Sequence, residues 1–248
     1  MKYLNILYAL MLLPFCSSAQ NYRDDILAVN KTLMARSSYS LQLHYEIFLD
    51  KELNKAFEQR SMSIVRQGAN LHMKQSSDME VVDTHRYQFV IDHRHRVFAS
   101  MQKNEEEVEM SSRNRIKTFG LIDTYVDTIV SAFQSIKVLL DNDEVVLYEC
   151  TAKPGSEAAV IWVEIDKKLK MFRSLTTRYR QPRKVREQDN EPHQITLKIH
   201  YAGFSTAPVV QPAIFNEASY VVIKDKKIQG LARKYASYNY LNETHDTP

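Results

Sequence analysis

Residues Tyr87–Ser100 read YQFVIDHRHRVFAS and contain a pattern that occurs twice in the chain. Tyr87, Phe89 and Ile91 alternate with other residues, as expected for a strand with one apolar face. The charged run after Ile91 predicts a turn, and Val97–Ser100 predicts the returning strand. The sequence therefore predicts an antiparallel hairpin here.

The hairpin pattern recurs later in the chain. Ile165–Ser174 reads IDKKLKMFRS and aligns without a gap with IDHRHRVFAS at Ile91–Ser100. The Ile, Asp, Phe and Ser residues coincide, and the basic residues of the turn match in kind. We therefore predict two related blocks of meandering sheet. No catalytic motif falls on either block.

The N-terminal residues have the composition of a secretory signal. Met1–Ala19 begins with a basic residue, continues with an apolar run too short to span a bilayer, and ends in small residues. We expect cleavage before Gln20. Cys16 offers the alternative of a lipid anchor, but Phe15 stands where lipidation needs a small residue. We predict an exported, periplasmic protein whose mature chain, residues 20–248, is a single domain without a transmembrane segment.

Charge and cysteine content narrow the function classes. The chain has a formal net charge of +3, and the mature chain would lose one lysine with the signal, which is too little to predict a nucleic-acid partner. Cys150 is the only cysteine of the predicted mature chain, so no intramolecular disulfide forms there. It lies within the apolar run VVLYECTA and is predicted to be buried and structural.

Apolar periodicity predicts an α+β protein. Seven large apolar residues step by three and four over residues 119–140 and predict a long amphipathic helix that packs on a sheet. They are Phe119, Ile122, Val126, Ile129, Phe133, Ile136 and Leu140. The spacing of Tyr22, Ile26, Val29 and Leu33 predicts a shorter N-terminal helix. Period-two patterns elsewhere predict about eleven strands, mostly antiparallel.

This order of elements, with the Gly68-Ala69-Asn70 hairpin and the Ile91-Asp92 and Ile165-Asp166 turns, resembles the LolA-like periplasmic lipoprotein-carrier family. The resemblance spans Asp25 to Leu241. It implies an incompletely closed β-barrel, a half-barrel, around an apolar cavity that helices cap. The Arg-Pro…Phe-Arg-Trp stretch of true carriers has no counterpart at Ser61–Gln75.

The resemblance also implies where an apolar ligand would bind. The long helix would act as a lid. The methionines on the strands either fill gaps in the core or line the cavity, because thioethers fill gaps and adapt to irregular apolar guests. The candidate ligand-binding residues are Phe119, Ile122, Val126, Ile129 and Phe133 of the predicted helix, with Met62, Met73, Met101, Trp162 and Met171 on the strands.

The sequence gives little support for metal binding or catalysis. His93 and His95 share a turn, but the two arginines beside them oppose a bound cation, and no metal-binding spacing occurs. Asp123 and Asp127 lie on the polar side of the predicted helix, as solvated residues do. No Gly-x-Ser-x-Gly elbow is present. We predict no catalytic residue, no metal and no cofactor.

The densest basic run is RYRQPRKVR at Arg178–Arg186. Such a run suits acidic lipid headgroups or an acidic partner, and it equally suits a solvated tether in an exposed loop.

The sequence therefore predicts an exported, non-enzymatic protein that binds an apolar ligand, a lipid or a lipoprotein acyl chain. The alternative is a structural or accessory subunit of a cell-envelope or secretion complex, whose cavity is filled by its own side chains.

Overall fold

A computed structural model of the chain describes residues 19–33, 35–49, 54–76, 78–103, 123–184, 191–225 and 227–243. Helix α1 covers residues 19–33 and helix α2 covers Asp123–Ser131. The first strands are β1 (Ser38–Leu49), β2 (Glu58–Gln67), β3 (Asn70–Gln75), β4 (Met79–Asp83), β5 (Tyr87–Asp92), β6 (Val97–Gln102) and β7 (Phe133–Asp141). The later strands are β8 (Val145–Ala152), β9 (Ala158–Asp166), β10 (Met171–Tyr179), β11 (Ile195–Ser205), β12 (Val221–Lys224), β13 (Lys227–Leu231) and β14 (Asn239–Glu243). Short 3-10 helices cover Pro212–Phe215, Glu217–Ser219 and Arg233–Tyr235.

Twelve of the fourteen described strands form one sheet, in the order β14-β6-β5-β4-β3-β2-β1-β11-β10-β9-β8-β7. The sheet is open, because β14 and β7 stand at the two ends of this order. Strand β14 runs parallel to β6, so the sheet is mixed. Strands β12 and β13 form a separate hairpin. The prediction of about eleven strands was therefore too low, since β7 and β13 were not recognised.

The chain divides into two compact units. The first, the helical unit, comprises residues 1–35, 44–59 and 120–201. The second, the aromatic unit, comprises residues 36–43, 60–119 and 202–248.

Two helices cover the sheet of the helical unit. Tyr22, Ile26 and Val29 of α1 are almost fully buried, which confirms the predicted apolar face of this helix. They share a core with Val126 of α2 and with buried residues of the strands, which are Ile136, Val146, Tyr148, Cys150, Val163 and Ile165. Burial of such side chains contributes about 1.5–3 kcal/mol each.

The prediction of one long helix over residues 119–140 was wrong. Helix α2 ends at Ser131, and residues 133–141 form the strand β7, which pairs with β8. Phe119 and Ile122 lie outside the described residues. Phe133 therefore belongs to a strand, where it packs partly buried against the core of the helical unit.

A β-bulge explains why the strand β7 has helix-like spacing. Phe133 pairs with Ala152 and Ser135 pairs with Thr151, so Gln134 is an extra residue in β7. The extra residue turns Phe133 and Ile136 toward one face of the sheet, although they are three positions apart. A second irregularity, between Val138 and Leu140, turns Leu140 away from that face and leaves it 46 % exposed.

The aromatic unit packs its C-terminal segment against one face of strands β4, β5 and β6. Tyr87, Phe89, Ile91 and Phe98 of the strands are buried against Tyr220, Val221 and Tyr235 of that segment. The rings of Phe89 and Tyr220 stack at 5.3 Å between centroids, and those of Phe98 and Tyr235 lie 5.1 Å apart. Aromatic pairs at this distance add about 0.5–1.5 kcal/mol beyond burial.

The two predicted hairpins have the same turn. Asp92 pairs with Val97 and Asp166 pairs with Met171. In each turn the aspartate accepts a 2.8 Å hydrogen bond from the backbone N–H three residues later, in His95 and in Leu169. The last turn residue has a positive φ in both, 55° at Arg96 and 50° at Lys170. The repeat seen in the sequence is therefore a repeat of backbone geometry.

Candidate functional site

Six apolar residues form a continuous row across the sheet of the aromatic unit. The register pairs each with the next on the neighbouring strand, from β2 through β3, β4, β5 and β6 to β14. The row is Ile64, Met73, Val81, Val90, Ala99 and Leu241. At about 4.8 Å between strands, it runs roughly 24 Å across the sheet. We call these six residues the apolar row.

The apolar row is exposed at the strands farther from β1. Val90 is 36 % exposed and Leu241 is 49 % exposed, while Met73, Val81 and Ala99 are half-buried. Met79, on the same face as Val81, is 41 % exposed. Exposed apolar residues that are contiguous rather than scattered are typical of binding surfaces.

The same face is closed toward β1. Ile64 is only 3 % exposed and Leu71 is 9 % exposed. The Arg66 guanidinium lies over the Tyr39 ring, 6.0 Å from its centroid, which places Tyr39 on this face. Tyr39, Leu41 and Leu43 alternate along β1, and all three are buried. The face thus changes from buried to exposed along its length.

The structure brings the three predicted methionines of the aromatic unit onto this face. Met73 belongs to the apolar row, Met62 lies two residues before Ile64, and Met101 lies two residues after Ala99. All three are half-buried. The sequence did not point to Val81, Val90 or Leu241, although alternation along each strand would have assigned all of them to one face.

The other predicted site residues lie in the helical unit. Val126 and Met171 are buried in it, and Ile129 is half-buried on α2. Trp162 is half-buried on the sheet face opposite the core, where it donates a 3.0 Å hydrogen bond to Glu149 and lies 5.3 Å from the Arg178 guanidinium.

A buried ion pair lies beside the apolar row. Asp83 follows Val81 by two residues on the same face of β4, and its carboxylate pairs with the Lys103 ammonium. Their side chains are only 10 % and 6 % exposed. Lys103 also donates a 2.7 Å hydrogen bond to the Thr84 carbonyl. A buried charge persists only when it is paired and hydrogen-bonded, as here.

The opposite face of β4 carries a polar network that sequence reasoning missed. Glu80 contacts His72 at 3.0 Å, His93 at 3.2 Å and the Tyr220 hydroxyl at 3.2 Å. His93 also contacts the Tyr238 hydroxyl at 3.0 Å through its Nδ1 atom. The network joins the sheet to the C-terminal segment. His72 is only 6 % exposed and lies within this network.

The electrostatics of this network favour a charged carboxylate. Burial alone would raise the pKa of Glu80, but hydrogen bonds and the charge of His72, with hydrogen bonds from His93 and Tyr220, outweigh it and lower the pKa to about 2.

Cys150 has the environment of a structural residue. It is fully buried in the core of the helical unit, and burial raises the pKa of its thiol to about 12. A thiol that stays protonated is neither nucleophile nor metal ligand. The predicted burial of Cys150 is confirmed.

Two arginines of the basic run, Arg180 and Arg183, contact other residues of the chain. The run is described as far as Lys184. The Arg180 side chain donates to the carbonyls of Ala152, Lys153, Ser156 and Ala158 at 3.1–3.4 Å. Arg183 pairs with Glu157 at 3.0 Å, and its guanidinium lies 5.2 Å from the Tyr179 ring centroid. These contacts argue against a solvated tether over these residues.

The described residues contain no group of three or more histidine, cysteine or acidic side chains arranged to hold a metal ion. No helix among them has the length and apolar character needed to cross a bilayer.

No family model and no curated protein matches the chain. Among solved structures, it is similar to a LolA superfamily protein from Nitrosomonas europaea, with 7 % identity and a TM-score of 0.31, over 78 % of this chain and 96 % of that one. It is also similar to lipoprotein LppX from Mycobacterium tuberculosis, with 9 % identity and a TM-score of 0.35, over 76 % and 96 %. A third is the Pseudomonas aeruginosa MucA/MucB complex, with 10 % identity and a TM-score of 0.39, over 77 % and 59 %. Each of these likenesses is distant.

Proposed function

We propose that the protein is an exported, periplasmic, non-enzymatic binding protein that holds an apolar ligand, a lipid or lipoprotein acyl chain, against the apolar row. The observation that carries the proposal is the unbroken pairing of six apolar residues across six strands, with Val90 and Leu241 open to solvent.

The chemistry of this face suits an acyl chain. An extended chain laid across the strands would contact one side chain per strand, and each methylene removed from water contributes about 0.8 kcal/mol. Met62, Met73, Met79 and Met101 lie on the same face, and flexible thioethers pack against chains of differing shape. Hydrogen-bond donors are few along the row itself, so it offers little to a polar substrate.

A specific observation favours a second function. Tyr39, Leu41, Leu43, Ile64 and Leu71 show that the half of the face toward β1 is already buried by the chain itself. If this closure extended to the whole face in solution, the protein would be a structural or accessory subunit of an envelope complex. Native mass spectrometry of the purified protein distinguishes the two, because a bound lipid and a stable partner protein add different masses.

Binding of a fluorescent fatty acid tests the site directly. We expect Val90→Asn to weaken binding by about tenfold, because a polar side chain would be buried beneath the ligand. The matched control is Val222→Asn on the β12–β13 hairpin, where the valine is 54 % exposed and lies off the face. The control should bind like the wild type. Equal affinities for all three proteins would exclude the apolar row as the site.

A further inference from the structure

Four exposed basic residues lie on two adjacent segments of the aromatic unit. Arg94 and Arg96 belong to the β5–β6 turn, and Arg233 and Lys234 begin the last 3-10 helix. The two segments are adjacent, because the ring of His93 in the turn lies 6.4 Å from the ring of Tyr235 in the helix, measured between centroids. We call Arg94, Arg96, Arg233 and Lys234 the basic patch.

The charges of the basic patch are not neutralised within the described chain. None of the four forms an ion pair there, and the neighbouring Asp92 carboxylate contacts His95 at 2.8 Å instead. Lys234 lies over the rings of Tyr220 and Tyr235, 4.7 Å and 4.6 Å from their centroids, which holds the ammonium at the surface without cancelling its charge.

The positive charge extends along the C-terminal hairpin. From Lys224 to Lys234 the sequence reads KDKKIQGLARK, with five basic residues and one acidic residue, whereas the whole chain has a net charge of only +3. Positive charge is therefore concentrated in this segment. In contrast, Arg180 and Arg183 of the other basic run are held by carbonyls and by Glu157.

We propose that the basic patch docks the protein on an anionic lipid surface. The cations project from a turn and a 3-10 helix and are exposed, an arrangement that suits a plane of phosphates better than a single enclosed ion. Basic residues at an anionic membrane each strengthen binding roughly fivefold. The docking does not depend on the apolar row, so either proposal can fail alone.

Vesicle flotation tests the docking. The protein is mixed with phosphatidylcholine vesicles with or without 30 % phosphatidylglycerol, at low and high salt. The test variant carries Arg94→Gln, Arg96→Gln, Arg233→Gln and Lys234→Gln. The control carries glutamine at four exposed lysines of the helical unit, Lys137, Lys153, Lys168 and Lys184, and so has the same net charge. All proteins share the same N-terminal residues, so any contribution from these cancels.

The wild type should float only with anionic vesicles and should lose binding at high salt, as should the control. The test variant should bind at least about a hundredfold more weakly. If it fails to fold, the pair Arg94→Gln with Arg233→Gln should still weaken binding by about tenfold or more. Equal binding of the test variant and the control would overturn the proposal, as would binding to neutral vesicles. Equally tight binding to double-stranded DNA would also contradict it, by showing an unselective polyanion surface.

Discussion

Glu80 joins several elements of the aromatic unit through polar contacts. Its two carboxylate oxygens bridge His72, His93 and Tyr220, so a single charge joins strands β3 and β4, the β5–β6 turn and the C-terminal segment. The side chain is only 13 % exposed. Loss of that charge would leave several buried partners without their acceptor, which costs more than the hydrogen bonds themselves contribute.

The low pKa of Glu80 predicts a specific acid sensitivity. The pKa is about 2 in the folded protein and about 4.3 in an unfolded chain, so its stabilisation is complete above about pH 5 and is lost as the pH falls toward 2. We expect the free energy of unfolding to fall more steeply below pH 5 in the wild type than in Glu80→Gln. Urea titrations from pH 6 to pH 2.5 measure both slopes. Parallel pH profiles would show that Glu80 is not held charged by this network.

Single residues were predictable where burial followed from local pattern. Cys150 was assigned correctly because it lies within an apolar run, and the apolar face of α1 because its residues recur at helical spacing. The burial of His72 has no such local signal, because the network that contains it includes Tyr220, about 150 positions later in the chain. When distant residues bury a polar side chain, the sequence of its own strand gives no sign of that burial.

At the scale of elements, the repeated hairpin turn places a non-glycine residue at positive φ in both copies. A residue other than glycine in this region is strained by about 1–2 kcal/mol. Arg96 and Lys170 accept this conformation because the aspartate four residues before each one caps the turn.

Glycine substitutions in the second turn test that geometry. We expect Lys170→Gly to leave the free energy of unfolding unchanged or to raise it by up to about 1 kcal/mol, because glycine adopts φ 50° without strain. Leu169→Gly, at an exposed neighbour that is not among the residues of positive φ, should lower it. Thermal unfolding of both variants and of the wild type measures these changes in stability. A larger loss for Lys170→Gly than for Leu169→Gly would mean that the turn differs from the structure.

Strand β7 was predicted to be part of a helix, and its local sequence explains this error. Phe133 and Ile136 continue the three-and-four spacing of α2, and nothing in that spacing marks the bulge at Gln134. What makes the segment a strand is pairing with β8, whose Val145, Val146, Tyr148 and Cys150 are buried. Tertiary pairing of this kind overrides a local pattern.

Two matched substitutions distinguish the strand from the predicted helix. A continuous helical stripe would bury Ile136 and Leu140 alike. In the strand, Ile136 is 6 % exposed and Leu140 is 46 % exposed. We expect Ile136→Ala to cost about 2–4 kcal/mol. Leu140→Ala should cost less than about 0.5 kcal/mol. Urea unfolding measures both, and similar losses would contradict the bulged strand.

At the scale of the whole molecule, period-two patterns were enough to predict a mostly antiparallel sheet, and helical spacing predicted the N-terminal helix. That the sheet is not closed was expected only from the resemblance to the LolA-like family. The candidate site was predictable only in part. Methionines 62, 73 and 101 could be named from their chemistry, but the row that joins Met73 to Leu241 depends on the register of five strand pairs. One of these pairs, β6 with β14, brings together residues about 140 positions apart, which no local pattern indicates.

Photo-crosslinking can directly locate an acyl chain that lies across the apolar row. A fatty acid with a diazirine on its alkyl chain is bound and irradiated, and labelled residues are identified by peptide mass spectrometry. The structure predicts labels on Met73, Val81, Val90 and Leu241, competed away by unlabelled fatty acid. Val222 and Leu169 are 54 % exposed and lie off the row, so they should stay unlabelled. If labelling depended only on solvent exposure, Val222 and Leu169 would be modified as readily as Val90. That result would contradict binding at the apolar row.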